Sequence, residues 1–117
     1  SYQNVPMRKS DKKLDNAIRN ALSEACDEAL ERDDGFQWLT HEVNYNAFPA
    51  SLRIVCVYDS DERLNKAKTG WLRQLIEAKL RAIDVSLKDG SKQISFDTEQ
   101  ACEREHDGRW AQRLRLQ

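Results

Sequence analysis

Apolar residues recur every three or four positions in the first third of the chain, which is the spacing of one buried face of an α-helix. The row begins at Leu14 and ends at Leu30, and it includes Ile18, Leu22 and Cys26. The sequence Asp-Asp-Gly follows at 33–35, and glycine suits the left-handed conformation just beyond a helix end. The pattern therefore predicts a long amphipathic helix that ends near residue 30.

Two strands are predicted next, because the residue types become aromatic and β-branched. Over 36–45 the alternation is imperfect, since Phe36 and Trp38 share one face whereas Leu39 falls on the other. A β-bulge near Trp38 and Leu39, or a strand covered on both faces, would account for this change of phase. The segment 52–58 is almost continuously apolar, which indicates a central strand covered on both faces.

Two further helices are predicted from capping residues. Ser60 can accept a hydrogen bond from the free N–H groups of a helix that is interrupted at Gly70. Thr98, or Asp97 before it, can cap another helix that ends near His106. A basic tail follows this last helix.

The dipeptide Asp89-Gly90 favours a type I′ turn between two strands. A two-residue turn would place Val85 opposite Ile94, and Ile83 opposite Phe96, with all four side chains on one face. The element order is then α-β-β-α-β-β-α. We predict an α+β fold with a four-stranded, largely antiparallel or mixed sheet and helices packed on it.

Length and composition favour one small intracellular domain. The chain has 117 residues, which suits a single core, and 39% are hydrophobic, which is too many for a disordered chain. Met7 is the only methionine and is interpreted as the native start. We therefore assign the domain to residues 7–117 and regard Ser1 to Pro6 as vector-derived residues or an upstream extension. No apolar run approaches the length of a membrane span, so we predict a cytoplasmic protein without membrane contact.

No sequence signature of a cofactor site is complete. Cys26, Cys56 and Cys102 form no CxxC pair and no zinc spacing, and they fit small core side chains in a reducing compartment. The four glycines are all explained by caps and turns, so no phosphate-binding loop is present. We predict neither a cofactor nor a resident metal.

Three residues are the candidates for catalysis. Asp59 and Asp61 follow the central strand and could hold Mg²⁺ for phosphodiester chemistry. Carboxylates that open a helix more commonly cap it and offset its dipole. His41 could serve as a general base beside them, although a lone histidine on such a face is more often hydrogen-bonded in the core. These residues would form a small metal-dependent hydrolase or nuclease, and the sequence leans away from an enzyme.

Charge is nearly balanced, with 19 basic and 20 acidic residues and a formal net charge of −1. Lys12 and Lys13 near one end, and Arg109, Arg113 and Arg115 near the other, could contact the phosphates of a nucleic acid. Acidic residues are interleaved with the arginines, and a solvated terminal helix is the commoner explanation. The far end of the first helix is acidic, and such a dipolar surface suits self-association or a charged protein partner.

Three segments, Arg8 to Leu30, Gly35 to Asp59 and Asp107 to Leu114 (DGRWAQRL), resemble a small proteobacterial family of short cytoplasmic proteins. Its members are sometimes labelled as Fis-type transcriptional regulators. The resemblance implies no catalytic or binding motif. True Fis proteins are all-helical and end in a helix-turn-helix, whereas this sequence predicts a hairpin and has no second helix behind a tight turn in its tail.

The sequence thus favours a non-enzymatic interaction or regulatory module that binds a protein partner or a second copy of itself. A DNA- or RNA-associated regulator that uses the basic termini is one alternative. A small metal-dependent hydrolase or nuclease is the other.

Overall fold

The computed structural model describes residues 7–117, so the interpretation of Ser1 to Pro6 lies outside the described residues. The chain forms an α+β fold, as predicted. In chain order its elements are α1 (Lys9–Leu30), β1 (Phe36–Glu42), a 3₁₀ turn (Tyr45–Ala47), β2 (Arg53–Tyr58), α2 (Asp61–Lys66), α3 (Thr69–Arg81), α4 (Gly90–Gln93), β3 (Ile94–Thr98), α5 (Glu99–His106) and α6 (Trp110–Arg115).

The sheet is mixed and has three strands in the order β1-β2-β3. β1 runs antiparallel to β2, with Leu39 opposite Cys56, and the predicted bulge lies between Phe36 and Trp38. β3 runs parallel to β2, with Ile94 beside Ile54. A parallel neighbour requires a long crossover, and α2, α3 and α4 provide it.

The prediction of a fourth strand, paired through a hairpin at 89–90, is wrong. The segment around Val85 is irregular, although its side chain is buried in the core, and the residues after the expected turn form α4. The reason is a tertiary contact of Gln93, whose buried side-chain amide donates to the backbone oxygens of Pro49 at 2.8 Å and Leu52 at 2.9 Å. These bonds hold the chain in a helical turn where local turn chemistry favours a hairpin.

The main core lies on one face of the sheet, where α1 and α3 pack. Its buried side chains come from α1 (Ile18, Ala21, Leu22, Ala25), from the strands (Ile54, Cys56, Tyr58, Ile94) and from α3 (Leu72, Ile76, Leu80). The apolar row of α1 thus has the role that its spacing predicted. Within residues 7–117 no helix is long and apolar enough to cross a membrane.

The C-terminal helices α5 and α6 cover part of the opposite face. Trp110 of α6 contacts Trp38 of β1 edge-to-face, with ring centroids 4.9 Å apart. Val57 of β2 and Cys102 of α5 are both completely buried. The central strand is therefore covered on both faces at this end, as its continuous apolar run predicted.

Candidate functional site

The structure does not bring the three catalytic candidates together. His41 lies opposite Ile54 of β2, whereas Asp59 directly follows the end of β2, five residues after Ile54 (54 to 59). An extended chain rises about 3.3 Å per residue, so roughly 16 Å of strand separates them. His41 therefore lies at the opposite end of the sheet from Asp59.

The two aspartates form separate contacts with nearby residues. Asp59 accepts hydrogen bonds from the backbone N–H of Ser60 at 2.7 Å and from Arg63 at 2.9 Å. Asp61 accepts from the hydroxyl of Thr98 at 2.6 Å and from Arg104 at 3.0 Å. The bond between Asp61 and Thr98 connects the starts of α2 and α5. Among the residues that the structure describes, no three His, Cys, Asp or Glu side chains are grouped to hold a metal ion.

Arg113, one of the nucleic-acid candidates, forms a nearly buried ion pair instead of a free surface charge. Its Nε and Nη2 atoms donate to the two carboxylate oxygens of Asp97 at 2.6 and 2.9 Å, and its Nη1 donates to Glu105 at 3.0 Å. The side chains of Arg113 and Asp97 are 12% and 9% exposed. This bidentate contact fastens α6 to the sheet.

The other basic candidates remain exposed but do not share one surface. Lys12 and Lys13 lie near the start of α1, on the helical side of the sheet that holds the main core. Arg109 precedes α6 and Arg115 is its last residue, and α6 packs on the opposite face. The two basic termini therefore do not combine into a single patch.

A cleft of about 240 Å³ separates α1 from the outer edge of β1. Three consecutive residues of β1, at 39–41, line one side. Arg19, Leu22, Ser23 and Cys26 of α1 line the other, and their three-and-four spacing places them along one face of the helix. Because β1 is a terminal strand of the sheet, this side of it has no neighbouring strand within residues 7–117.

Backbone groups of β1 point into this cleft. The N–H of Leu39 lies against the thiol of Cys26 on α1 and so faces away from β2. In an antiparallel pair, alternate residues direct both N–H and C=O outward, so His41, two positions on, has the same orientation. The cleft thus combines a helical wall with strand backbone that, within residues 7–117, pairs with no further strand.

His41 lies at one end of the cleft in a cluster of polar side chains around Asp15. The Asp15 carboxylate accepts from Nε of Arg19 at 2.8 Å and from the hydroxyl of Tyr45 at 2.6 Å, and His41 Nε2 is 3.7 Å away. Burial by itself would raise the pKa of Asp15, but the bonds from Arg19 and Tyr45 outweigh it and hold that pKa below its ordinary value. Burial lowers the pKa of His41, and the attraction of Asp15 offsets it only in part. At neutral pH the cluster therefore contains a carboxylate, a guanidinium and an uncharged imidazole.

We expect the unfolding free energy of the wild type to decrease more than that of His41→Gln when the pH falls below about 6.5, the ordinary pKa of histidine. The folded pKa lies lower, so in this range the unfolded chain takes up the proton first and is favoured. Above about pH 6.5 the His41 imidazole is uncharged in both the folded and the unfolded chain, so it adds no pH dependence to the unfolding free energy. Urea titrations of both proteins at about pH 7.5 and 5.5 measure the two unfolding free energies. An equal decrease in the wild type and in His41→Gln would contradict the prediction.

Sequence reasoning singled out His41 but missed the residues that surround it. Asp15 and Arg19 are four positions apart on α1, which is a common spacing for an ion pair. Arg19 also continues the helical row of Leu22 and Cys26. This row borders the apolar face of α1, but its strand neighbour cannot be known from the local pattern.

Comparisons of the chain with family models, with curated proteins and with solved structures return no match.

Proposed function

We propose that this protein is a non-enzymatic protein-interaction module whose α1–β1 cleft binds an extended segment of a protein partner. The segment would lie beside β1 as an additional strand. The observation that carries this proposal is the edge of β1 inside a cleft, which pairs with no other strand within residues 7–117 and directs the N–H of Leu39 outward to the Cys26 thiol. A strand edge beside a helix is a recurrent peptide-binding arrangement, since main-chain hydrogen bonds supply affinity and adjacent pockets supply specificity.

The size and chemistry of the cleft support a short peptide as the occupant. Its volume of about 240 Å³ is below the roughly 300 Å³ where pockets for drug-sized ligands begin. Cys26 and Leu39, which are partly exposed, provide apolar surface for one side chain of the segment. The bulge before Leu39 interrupts the regular strand, which confines regular pairing to a few residues.

A second copy of this chain fits the cleft less well. Its β1 would arrive with its own α1 alongside, and two helices would then compete for the space that one extended chain can fill. The contacts described above also lend less support to the other functions. For nucleic-acid binding, Arg113 is already ion-paired with Asp97. For a metal-dependent hydrolase, His41 lies far from Asp59 and Asp61.

Selection of a phage-displayed library of random dodecapeptides against the wild-type protein tests the proposal. We expect a consensus with alternating apolar residues, because alternate side chains of a strand face the cleft. Ser23→Trp fills the cleft from the exposed side of α1 and should weaken the selected peptide at least tenfold by fluorescence anisotropy. Asn20→Trp is the matched control, since Asn20 is also exposed on α1 but lies outside the cleft lining.

A backbone variant distinguishes strand addition from simple side-chain contact. His41→Pro removes an outward N–H and should weaken binding far more than His41→Ala, which retains it. Equal effects of the two variants would contradict strand addition. Failure to select any peptide, or an equal loss of peptide affinity in Ser23→Trp and Asn20→Trp, would overturn the proposal. So would a wild-type dimer that Ser23→Trp converts to a monomer, because the occupant would then be a second copy.

A further inference from the structure

Arg19 presents hydrogen-bond donors at the His41 end of the cleft. Its Nε is held by Asp15, and Asp15 is itself held by the Tyr45 hydroxyl, so the guanidinium is anchored from one side. The Arg19 side chain is nevertheless 66% exposed and lines the cleft. Within the described part of the chain its two Nη atoms have no hydrogen-bond partner. Paired terminal nitrogens of this kind match the two oxygens of a carboxylate.

The charges along the cleft differ between its two ends. At the far end, burial and then the negative charge of Asp27 raise the pKa of the Cys26 thiol. The thiol therefore remains uncharged, and Asp27 is the nearby anion. At the His41 end the Asp15 carboxylate is largely covered, with 14% of its side chain exposed, whereas Arg19 faces outward. A bound segment thus meets the exposed cation of Arg19 at the His41 end and an uncharged thiol at the Cys26 end, an arrangement that selects for a negative charge beside Arg19.

We infer that the segment bound in the cleft carries an acidic side chain, aspartate or glutamate, that pairs with Arg19. This inference rests on the proposed function and specifies the class of ligand. The carboxylate of a chain terminus is the less suitable source, because such groups are commonly captured by convergent backbone N–H groups. At this end of the cleft the available donor is instead a single side chain on a helix.

Synthetic peptides based on the strongest selected sequence test the pairing. We expect an Asp or Glu at one fixed position of the consensus, and replacing it by Asn or Gln should weaken binding to the wild type about tenfold, as for a charge-assisted hydrogen bond. Arg19→Gln should reduce that discrimination to about twofold or less, because the carboxylate then has no charged partner. Arg19→Glu should prefer a peptide with lysine at the same position.

Arg81→Gln is the matched control, since Arg81 is an exposed arginine at the end of α3 and should retain the full discrimination. Selected peptides that lack an acidic residue, or an unchanged preference in Arg19→Gln, would overturn the inference while the proposed function stands. A large loss on amidating the peptide C-terminus, with no effect of the acidic side chain, would also overturn it. Absence of any peptide binding would instead overturn the proposed function.

Discussion

Asp97→Ala should lower the free energy of unfolding by about 3 kcal/mol, the lower end of the roughly 3–5 kcal/mol lost when one partner of a buried ion pair is removed. The substitution leaves the Arg113 guanidinium nearly buried without its bidentate acceptor. The lower end applies because Glu105 still accepts one hydrogen bond from Arg113. Urea denaturation followed by circular dichroism measures the change.

The double variant Asp97→Ala with Arg113→Met tests whether the loss arises from the unpaired charge. Removing both charges should recover part of the stability, so the two single effects should not add. Arg115→Ala is the control on the same helix, because Arg115 is exposed, and it should change stability by less than about 0.5 kcal/mol. A loss below about 1 kcal/mol in Asp97→Ala would contradict the assignment of this pair as the attachment of α6.

This prediction also affects how nucleic-acid experiments on the basic tail are interpreted. A variant that removes Arg113 together with Arg109 and Arg115 loosens α6 as well as removing charge. Reduced nucleic-acid retention in that triple variant would therefore not identify a phosphate contact. Arg109→Gln with Arg115→Gln, which leaves the Asp97 pair intact, separates the two effects.

Ile54→Ala should cost about 2–5 kcal/mol, the range for truncating a fully buried isoleucine. Ile54 is completely buried on the central strand, between His41 of β1 and Ile94 of β3 in the sheet. Truncation leaves a cavity where the sheet and α1 meet, and strands fixed on both sides cannot readily close it. Thermal and urea unfolding of the variant give the magnitude.

Ile54→Val is the matched substitution, because it removes one methylene and should cost only about 0.5–1.5 kcal/mol. Ser95→Ala, at an exposed position of β3, should be close to neutral. Nearly equal costs for the alanine and valine variants would show that the site relaxes around the cavity. That result would contradict the packing described here.

Features with a local cause were predicted from sequence. α1 follows from apolar spacing, and its end near residue 30 follows from the Asp-Asp-Gly turn. Ser60 and Thr98 cap α2 and α5 through their hydroxyl oxygens, as expected of these residue types. The bulge near Trp38 was visible as a change in alternation. Each of these signals lies within a few neighbouring residues.

The candidate site was predicted only in part. His41 was identified because histidine is chemically versatile, and it does line the cleft. Its partners Asp15 and Tyr45 are separated from each other by thirty positions (15 to 45), and their hydrogen bond depends on how α1 lies against β1. Arg113 was assigned to phosphate contacts because its charge is visible in sequence, whereas its bond to Asp97 is not.

The sequence by itself determined the positions of α1, the central strand β2 and the capped starts of α2 and α5, because backbone propensity and apolar periodicity act over short distances. Only the tertiary structure decided that β3 joins β2 in parallel, since the contacts of Gln93 with residues 49–52 override the local turn signal at 89–90. It also decided that Arg113 fastens α6 and that the edge of β1 opens into a cleft with Arg19. These features depend on groups distant in the chain, whose proximity is fixed only when the sheet and helices pack together.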